Sequence, residues 1–157
     1  MTQHPTQTNL FFQFESDFVD SLRCIPMQVR LKLDTCGIKL KLHQWNQFTQ
    51  DDRQCLVEFP CNTEAEILAY REQLTQMILE KTGEAAKELE IDPTPPWQDD
   101  TQIPESIRTK VDELGVSLTQ SQWAALTPLQ RFALIKLSRS SHENSNFLPA
   151  MKEFHLI

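Results

Sequence analysis

The fold class follows from the stretch Ile25-Pro-Met-Gln-Val-Arg-Leu-Lys-Leu-Asp-Thr-Cys-Gly-Ile-Lys-Leu-Lys-Leu-His-Gln-Trp45. A divergent copy lies 78 residues later as Ile103-Pro-Glu-Ser-Ile-Arg-Thr-Lys-Val-Asp-Glu-Leu-Gly-Val-Ser-Leu-Thr-Gln-Ser-Gln-Trp123. The register holds without a gap over positions 25–57, with 12 identities among 33 aligned positions, where chance would give about two. We therefore predict that the chain contains two tandem, divergent copies of one unit.

Each copy has the pattern of an amphipathic helix that ends at a glycine. Apolar residues from Ile25 to Cys36 fall at helical spacing, and the second copy repeats them. Gly37 and Gly115 then stand where a residue in the left-handed conformation commonly ends a helix. The sequence predicts a mostly α-helical protein. Each repeat comprises a helix, a glycine-ended turn, a tryptophan-bearing turn and capped helices.

Capping boxes mark the starts of further helices. We predict three such starts, each at a Thr followed three residues later by an acid or Gln: Thr49 with Asp52, Thr63 with Glu66, and Thr127 with Gln130. The second box opens a long helix whose apolar face carries Ile67, Tyr70, Leu74, Met77 and Ile78. In the second copy a shorter helix is predicted from Phe147, Met151 and Phe154.

Composition sets the expected boundaries of the segments. Residues 1–9 are predicted to be a flexible tail, and residues 10–91 the first helical repeat with an N-terminal extension. Residues 92–102 contain three prolines and three acids, which cannot continue a helix, so we expect a linker there. Residues 103–157 form the second helical repeat, expected to pack on the first as one globular unit.

Three groups of aromatic residues have separate interpretations. Phe12 and Phe14 alternate with polar residues, which is typical of a short strand, so a possible N-terminal strand is predicted. Trp45 and Trp123 recur at matched positions among apolar residues and are expected in the core. Trp97, in the predicted linker, either fills a groove on the protein's own surface or is exposed for a partner, and the sequence leaves both open.

Length and charge exclude several classes of protein. The chain has 157 residues and a net charge of -7, which argues against nucleic-acid binding because phosphate neutralisation supplies most of that affinity. No stretch has the apolar length of a membrane span, so no membrane partner is expected. The first residues lack the pattern of a secretory signal, and the predicted location is the cytoplasm.

The repeat offers an internal control for the four cysteines. Cys36 and Cys55 face Leu114 and Ala133 in the other copy, so both are expected to be buried like small apolar residues. Cys24 and Cys61 face polar residues and are the two that could be exposed or reactive. The spacings of the thiols fit no zinc or iron–sulfur pattern, so no metal site is predicted.

No constellation of residues points to catalysis. The four histidines have no partner at ligand or triad spacing, and no glycine-rich phosphate loop is present. The sequence therefore predicts that the protein is not an enzyme, with no catalytic residues and no resident cofactor.

The basic residues are spread unevenly between the copies. Residues 23–41 contain five basic residues against one acid, a net charge of +4, whereas the matching residues 101–119 have a net charge of -1. The excess comes from Arg23, Lys39 and Lys41, whose counterparts are Thr101, Ser117 and Thr119. A one-sided basic stripe on an acidic protein suggests docking to an acidic surface or an anionic ligand. A solvated face without a partner is the equally supported alternative.

The stretch from Phe12 to Trp45 resembles the cyanobacterial nitrate-reductase-associated protein family. The most specific parts are Leu22-Arg-Cys-Ile-Pro-Met27 and Gly37-Ile-Lys-Leu40, and the similarity continues through Asn62-Thr-Glu-Ala-Glu-Ile-Leu-Ala-Tyr70 into the second copy. The resemblance implies a non-catalytic accessory role, binding or chaperone-like, in the production of active assimilatory nitrate reductase. Nitrate reductase or its maturation machinery would be the partner.

A second function stays open at this point. The protein could instead handle a cofactor, binding a molybdopterin species or an iron–sulfur precursor. The basic stripe would then hold phosphate, and Cys24 or Cys61 would hold metal.

Overall fold

The computed structural model describes residues 11–15, 24–139 and 146–157. Over these residues the chain is mostly helical, as the sequence predicts, and forms two compact units. The first unit extends to Ile91, and the second begins at Asp92 and also includes Phe12–Phe14. The predicted tail over residues 1–9 and the basic residue Arg23 lie outside the described residues.

The first unit contains four described helices and a minimal sheet. In chain order these are α1 (Met27–Cys36), β1 (Ile38–Lys39), α2 (Leu42–Gln47), α3 (Gln50–Glu58), α4 (Glu64–Thr82) and β2 (Lys87–Glu88). The strands β1 and β2 pair antiparallel, with Ile38 opposite Glu88 and Lys39 opposite Lys87. Helix α4 packs against α1, α2 and α3 and therefore organises the unit.

The second unit contains the other four described helices. A 3₁₀ turn, Pro96–Gln98, precedes α5 (Glu105–Leu114), α6 (Gln120–Ala125), α7 (Pro128–Arg139) and α8 (Phe147–Glu153). Helix α7 is the central element, because it packs against α5, α8 and the 3₁₀ turn. Its residues from Arg131 to Ile135 are all buried.

Matched elements of the two units lie 78 residues apart. Helices α1 and α5 share this offset at both ends, as do α2 and α6, while α3 and α7 share it at their first residues. Gly37 and Gly115 follow α1 and α5 in the left-handed conformation, with φ of 77° and 72°. The matched elements are a finding, and the common origin of the two copies stays a prediction.

The predicted capping boxes are present at all three sites. The hydroxyl of each threonine accepts the N–H three residues on, at 3.0 Å for Thr49 and 3.1 Å for Thr63 and Thr127. Helix α1 starts differently, because Pro26 has no side-chain oxygen to offer. The buried Glu15 carboxylate takes this role and accepts the N–H of Met27 at 3.0 Å, which stabilises the positive end of the helix.

Trp45 and Trp123 are fully buried, one in each unit, as predicted. Trp97 is buried too, which answers the question that the sequence left open. Its ring packs edge-on against Phe132 with centroids 5.0 Å apart, and its carbonyl accepts a hydrogen bond from Arg131 at 2.8 Å. The segment 92–102, expected to be a linker, thus contributes a core side chain to the second unit.

The predicted N-terminal strand is wrong, because Gln13–Glu15 form a 3₁₀ turn. The rings of Phe12 and Phe14 stack with centroids 5.2 Å apart and both pack edge-on against Phe154. The backbone N–H groups of Gln13 and Phe14 donate to the Glu153 carboxylate at 3.0 and 3.1 Å. Side-chain partners in α8 therefore satisfy the groups that a neighbouring strand would have bonded.

Candidate docking surface

The exposed lysine of strand β1 is positioned by the turn that precedes it. Gly37 reverses the chain in the left-handed conformation, after which Ile38 points into the core and Lys39 into solvent. This alternation is the ordinary geometry of a strand, in which successive side chains face opposite sides. Lys39, one of the three predicted partner-binding residues, is therefore exposed.

A second lysine lies directly across the sheet from Lys39. Lys87 of β2 occupies the opposing position and is also exposed. Directly opposed side chains in an antiparallel pair have Cβ atoms about 4.5–5.5 Å apart, and like charges there are destabilising. Neither ammonium has an ion pair within the described part of the chain. Lys87 is not among the residues predicted from the sequence, since a two-residue strand leaves no periodic signal.

The acid beside Lys87 is already engaged elsewhere. Glu88 forms an ion pair with Arg71 of α4, and the same guanidinium donates to the carbonyl of Cys36 at 2.7 Å. The N–H of Leu89 donates to the carbonyl of Gly37 at 2.9 Å and extends the pairing. These contacts fix β2 against β1, so the two lysines are held on a defined backbone.

Lys41, the next predicted residue, lies at the start of α2 in a different electrostatic setting. It is half-buried, and its backbone N–H donates to the Gln44 side chain at 2.9 Å. Glu84 accepts a hydrogen bond from the Gln44 side chain at 2.9 Å and lies 3.3 Å from His43. The Gln44 and His43 contacts, together with the Lys41 charge, lower the pKa of Glu84. The charge of Lys41 is therefore partly compensated.

Two other basic residues of the stripe do not belong to this surface. The Lys32 ammonium donates to the carbonyls of Val57 and Phe59 at 2.7 and 2.6 Å, at the end of α3. Burial lowers the pKa of Lys32 to about 8. The Arg30 side chain donates to the carbonyl of Ile25 at 3.2 Å. The candidate docking surface therefore consists of Lys39, Lys41 and Lys87.

The burial of the thiols agrees only partly with the prediction made from the matched residues of the other copy. Cys36 is buried as predicted, but the prediction that Cys55 is buried is wrong. Its counterpart Ala133 lies on α7, which packs against three elements, whereas α3 packs against α1 and α4 and leaves Cys55 in solvent.

The expectation that Cys61 could be exposed is wrong too. Its side chain is buried, with the sulfur 3.9 Å from the carbonyl of Lys32. Burial raises the pKa of Cys61 to about 11, and burial is also the main cause that raises the pKa of Cys36 to about 11. Both groups are therefore neutral thiols near pH 7. Cys24 is half-buried.

The side chains at the matching positions of the second unit are uncharged, and one of them caps a helix. Ser117 and Thr119 are exposed, and the Thr119 hydroxyl accepts the N–H of Gln122 at 3.1 Å to start α6. The described residues 92–139 contain no strand to oppose them. The basic surface is thus a feature of the first unit.

Neither a metal site nor a membrane-spanning helix is present among the described residues. Residues 11–15, 24–139 and 146–157 contain no group of three His, Cys, Asp or Glu side chains placed to hold a metal ion. Among these same residues no helix has the length and apolar content needed to cross a membrane.

Comparison with known proteins gives one match. The model of a family described as conserved nitrate reductase-associated protein matches residues 11–154. No curated protein and no solved structure matches the chain.

Proposed function

The chain belongs to the conserved nitrate reductase-associated protein family, and from that premise we propose that it is a non-catalytic accessory protein, binding or chaperone-like, needed to produce active nitrate reductase. It acts in the cytoplasm by docking on the reductase or on its maturation machinery. The docking surface of Lys39, Lys41 and Lys87 makes the contact, and Arg23, which lies outside the described residues, belongs to the same proposal.

The observation that carries the proposal is the lysine pair across β1 and β2. Two exposed ammonium groups face each other on a backbone that Arg71 and Gly37 hold in place. Like charges in directly opposed positions destabilise a sheet. An acidic surface bound over both would relieve the repulsion, and this supports a partner for the surface rather than a purely solvated face.

The chemistry of the partner follows from the charges. An acidic patch on the reductase or a maturation protein would be steered toward the lysines on a chain whose net charge is -7. Such steering weakens as salt rises, because exposed charges are screened within a Debye length of about 8 Å at physiological ionic strength.

The cofactor-handling alternative has less support. It requires Cys24 or Cys61 as a metal ligand, yet the thiol of Cys61 is buried with its pKa raised to about 11. A protonated thiol is a poor ligand, because metals bind the thiolate. Absorbance and fluorescence of the purified protein distinguish the two functions, since a bound pterin or cluster gives a signal that a pure binding protein does not.

The docking surface is tested by reversing its charges. We expect the Lys39→Glu, Lys87→Glu variant to lose about 1 kcal/mol of binding free energy per lysine, roughly 30-fold in affinity for the partner. Nitrate reductase activity should fall in cells that carry this variant in place of the natural protein. Lys39→Glu with Lys41→Glu should act in the same direction and less strongly, because Glu84 lies near Lys41.

The control uses the matched positions of the second unit. Ser117→Glu with Thr119→Asp adds two acidic groups and keeps a side-chain oxygen able to cap α6, so this variant should leave reductase activity nearly unchanged. The thermal midpoint of each purified variant checks that folding is intact, since exposed charges contribute little to stability. Full reductase activity with both lysines reversed contradicts the docking surface. Unchanged activity on deletion of the whole gene contradicts the accessory role.

A further inference from the structure

Lys110 of α5 is the counterpart of Lys32 in α1, and the two ammonium groups have different surroundings. Lys32 donates to the carbonyls of Val57 and Phe59 at the end of α3. The Lys110 ammonium lies 4.0 Å from the Glu113 carboxylate, and within the described part of the chain it donates no hydrogen bond. Its side chain is nevertheless only 11% exposed. A largely buried cation without close partners calls for an explanation.

The difference arises from the lengths of the helices that follow. Helix α3 ends at Glu58, so the carbonyls of its last turn lack helical donors and accept from Lys32. Helix α7 continues to Arg139, and the carbonyl of Ile135, which matches Val57, accepts from the Ser138 hydroxyl at 2.8 Å. Among the described residues, Lys110 therefore lacks the helix-end carbonyls that Lys32 has at the matching position.

An open cleft lies beside Lys110. Its volume is about 370 Å³, within the range of binding pockets in proteins. The cleft is lined by polar side chains of α5 and of the end of α7: Glu105, Ser106, Thr109, Lys110, Glu113 and Ser138. The Ser138 and Ser106 hydroxyls are hydrogen-bonded at 3.1 Å and link the two helices.

We propose that this cleft binds the C-terminal turn of a helix from a partner protein. The last carbonyls of a helix need donors, and Lys110 and Thr109 supply an ammonium and a hydroxyl. Helices favour Lys and Arg side chains in their last turn. The carboxylates of Glu105 and Glu113, which line the cleft, carry the opposite charge to such side chains. Within this same chain, Lys32 already binds the end of α3 in this way. The site is separate from the docking surface of the first unit, and its test does not require the reductase.

The probe is an alanine-based helical peptide of about four turns, acetylated and amidated, with lysines in its last turn. We expect it to bind the full-length protein in a calorimetric titration, and the Lys110→Met variant to bind it at least tenfold more weakly. Methionine keeps the apolar stem and removes the ammonium, so the variant should fold normally, which the thermal midpoint checks.

Two controls separate this site from general charge attraction. Lys32→Met should lower the thermal midpoint, because the end of α3 loses its donor, while leaving peptide affinity within twofold of the natural protein. A peptide with its lysines moved to the first turn should bind at least tenfold more weakly. Equal affinity of Lys110→Met and the natural protein overturns the proposal, and so does equal affinity for both peptides or the absence of any binding.

Discussion

Both units close their tryptophan-bearing helix with an arginine eight residues after the tryptophan, but they bury it to different depths. In the first unit Arg53 donates to the carbonyls of Trp45 and Asn46 at 3.1 and 3.0 Å and is half-buried. In the second unit Arg131 is only 6% exposed and donates to the carbonyls of Trp97 and Leu126 at 2.8 and 2.7 Å.

Identical residues in the two units thus have different roles because segments outside the matched stretch pack against them. The 3₁₀ turn Pro96–Gln98 brings the carbonyl of Trp97 to Arg131, and no part of the aligned positions 25–57 encodes that contact. The same holds for Lys32 and Lys110, whose surroundings depend on where the next helix ends. The same substitution at matched residues of the two units therefore measures how differently that residue contributes to the stability of each unit.

The largest difference is expected at the two arginines. Arg131→Met should lower the free energy of unfolding by about 3 kcal/mol, because buried carbonyls lose a charged donor, and Arg53→Met by about 1 kcal/mol. Chemical denaturation of each purified variant measures both values. Equal losses of unfolding free energy would mean that the two arginines stabilise their units to the same extent despite their different burial.

The glycines that end α1 and α5 should differ by a smaller amount. Both have positive φ, but a Cβ at Gly37 would lie 2.7 Å from an Ile91 carbon and 3.1 Å from the Arg71 guanidinium, whereas nothing lies within 4 Å at Gly115. We expect Gly115→Ala to cost about 1 kcal/mol from backbone strain and Gly37→Ala about 2–3 kcal/mol, since crowding adds to that strain. Thermal unfolding measures both.

Two results would count against this account of the glycines. One is a larger loss for Gly115→Ala than for Gly37→Ala. The other is a change at Gly83, also at positive φ with open space around it, that exceeds the change at Gly37.

The smallest perturbation is chemical modification of the thiols, which needs no substitution. At pH 8 a group with pKa about 11, as for Cys36 and Cys61, has roughly one hundredth of the thiolate of an ordinary cysteine. Cys55, which is exposed, should therefore react with iodoacetamide first, and Cys36 and Cys61 at least about 100 times more slowly. Mass spectrometry of peptides over time gives the order. Rapid labelling of Cys36 would contradict its burial.

The sequence predicts most of the helices, because their signals are local. Pro26, Gly37 and the capping box at Thr63 each act within a few residues of the helix end that they mark. It does not predict the pairing of Lys39 with Lys87, since the two lysines lie far apart in the chain on strands too short to show a period. Nor does it show that the Lys32 side chain turns inward. A count of charges does not reveal that α3 ends beside Lys32 and offers it the carbonyls of its last turn.

The errors have one physical cause. The comparison of Cys55 with Ala133 assumes that α3 and α7 have equivalent neighbours. Helix α7, however, packs against α8 and the 3₁₀ turn as well as α5, whereas α3 packs against α1 and α4. The alternation at Phe12 and Phe14 wrongly predicts a strand, because a local pattern cannot reveal a distant carboxylate such as that of Glu153. Contacts between residues far apart in the chain decide burial, and short windows of sequence do not contain them.

The contact of Gln13 with Glu153 also orders events during synthesis of the chain. These residues are 140 positions apart, and a ribosome adds roughly 5–20 residues per second, so about 7–28 s separate their appearance. Phe12 and Phe14 thus emerge well before their partner Phe154. The helices of the first unit can form on the ribosome in that interval, whereas the aromatic cluster of the second unit can form only after Phe154 has been made.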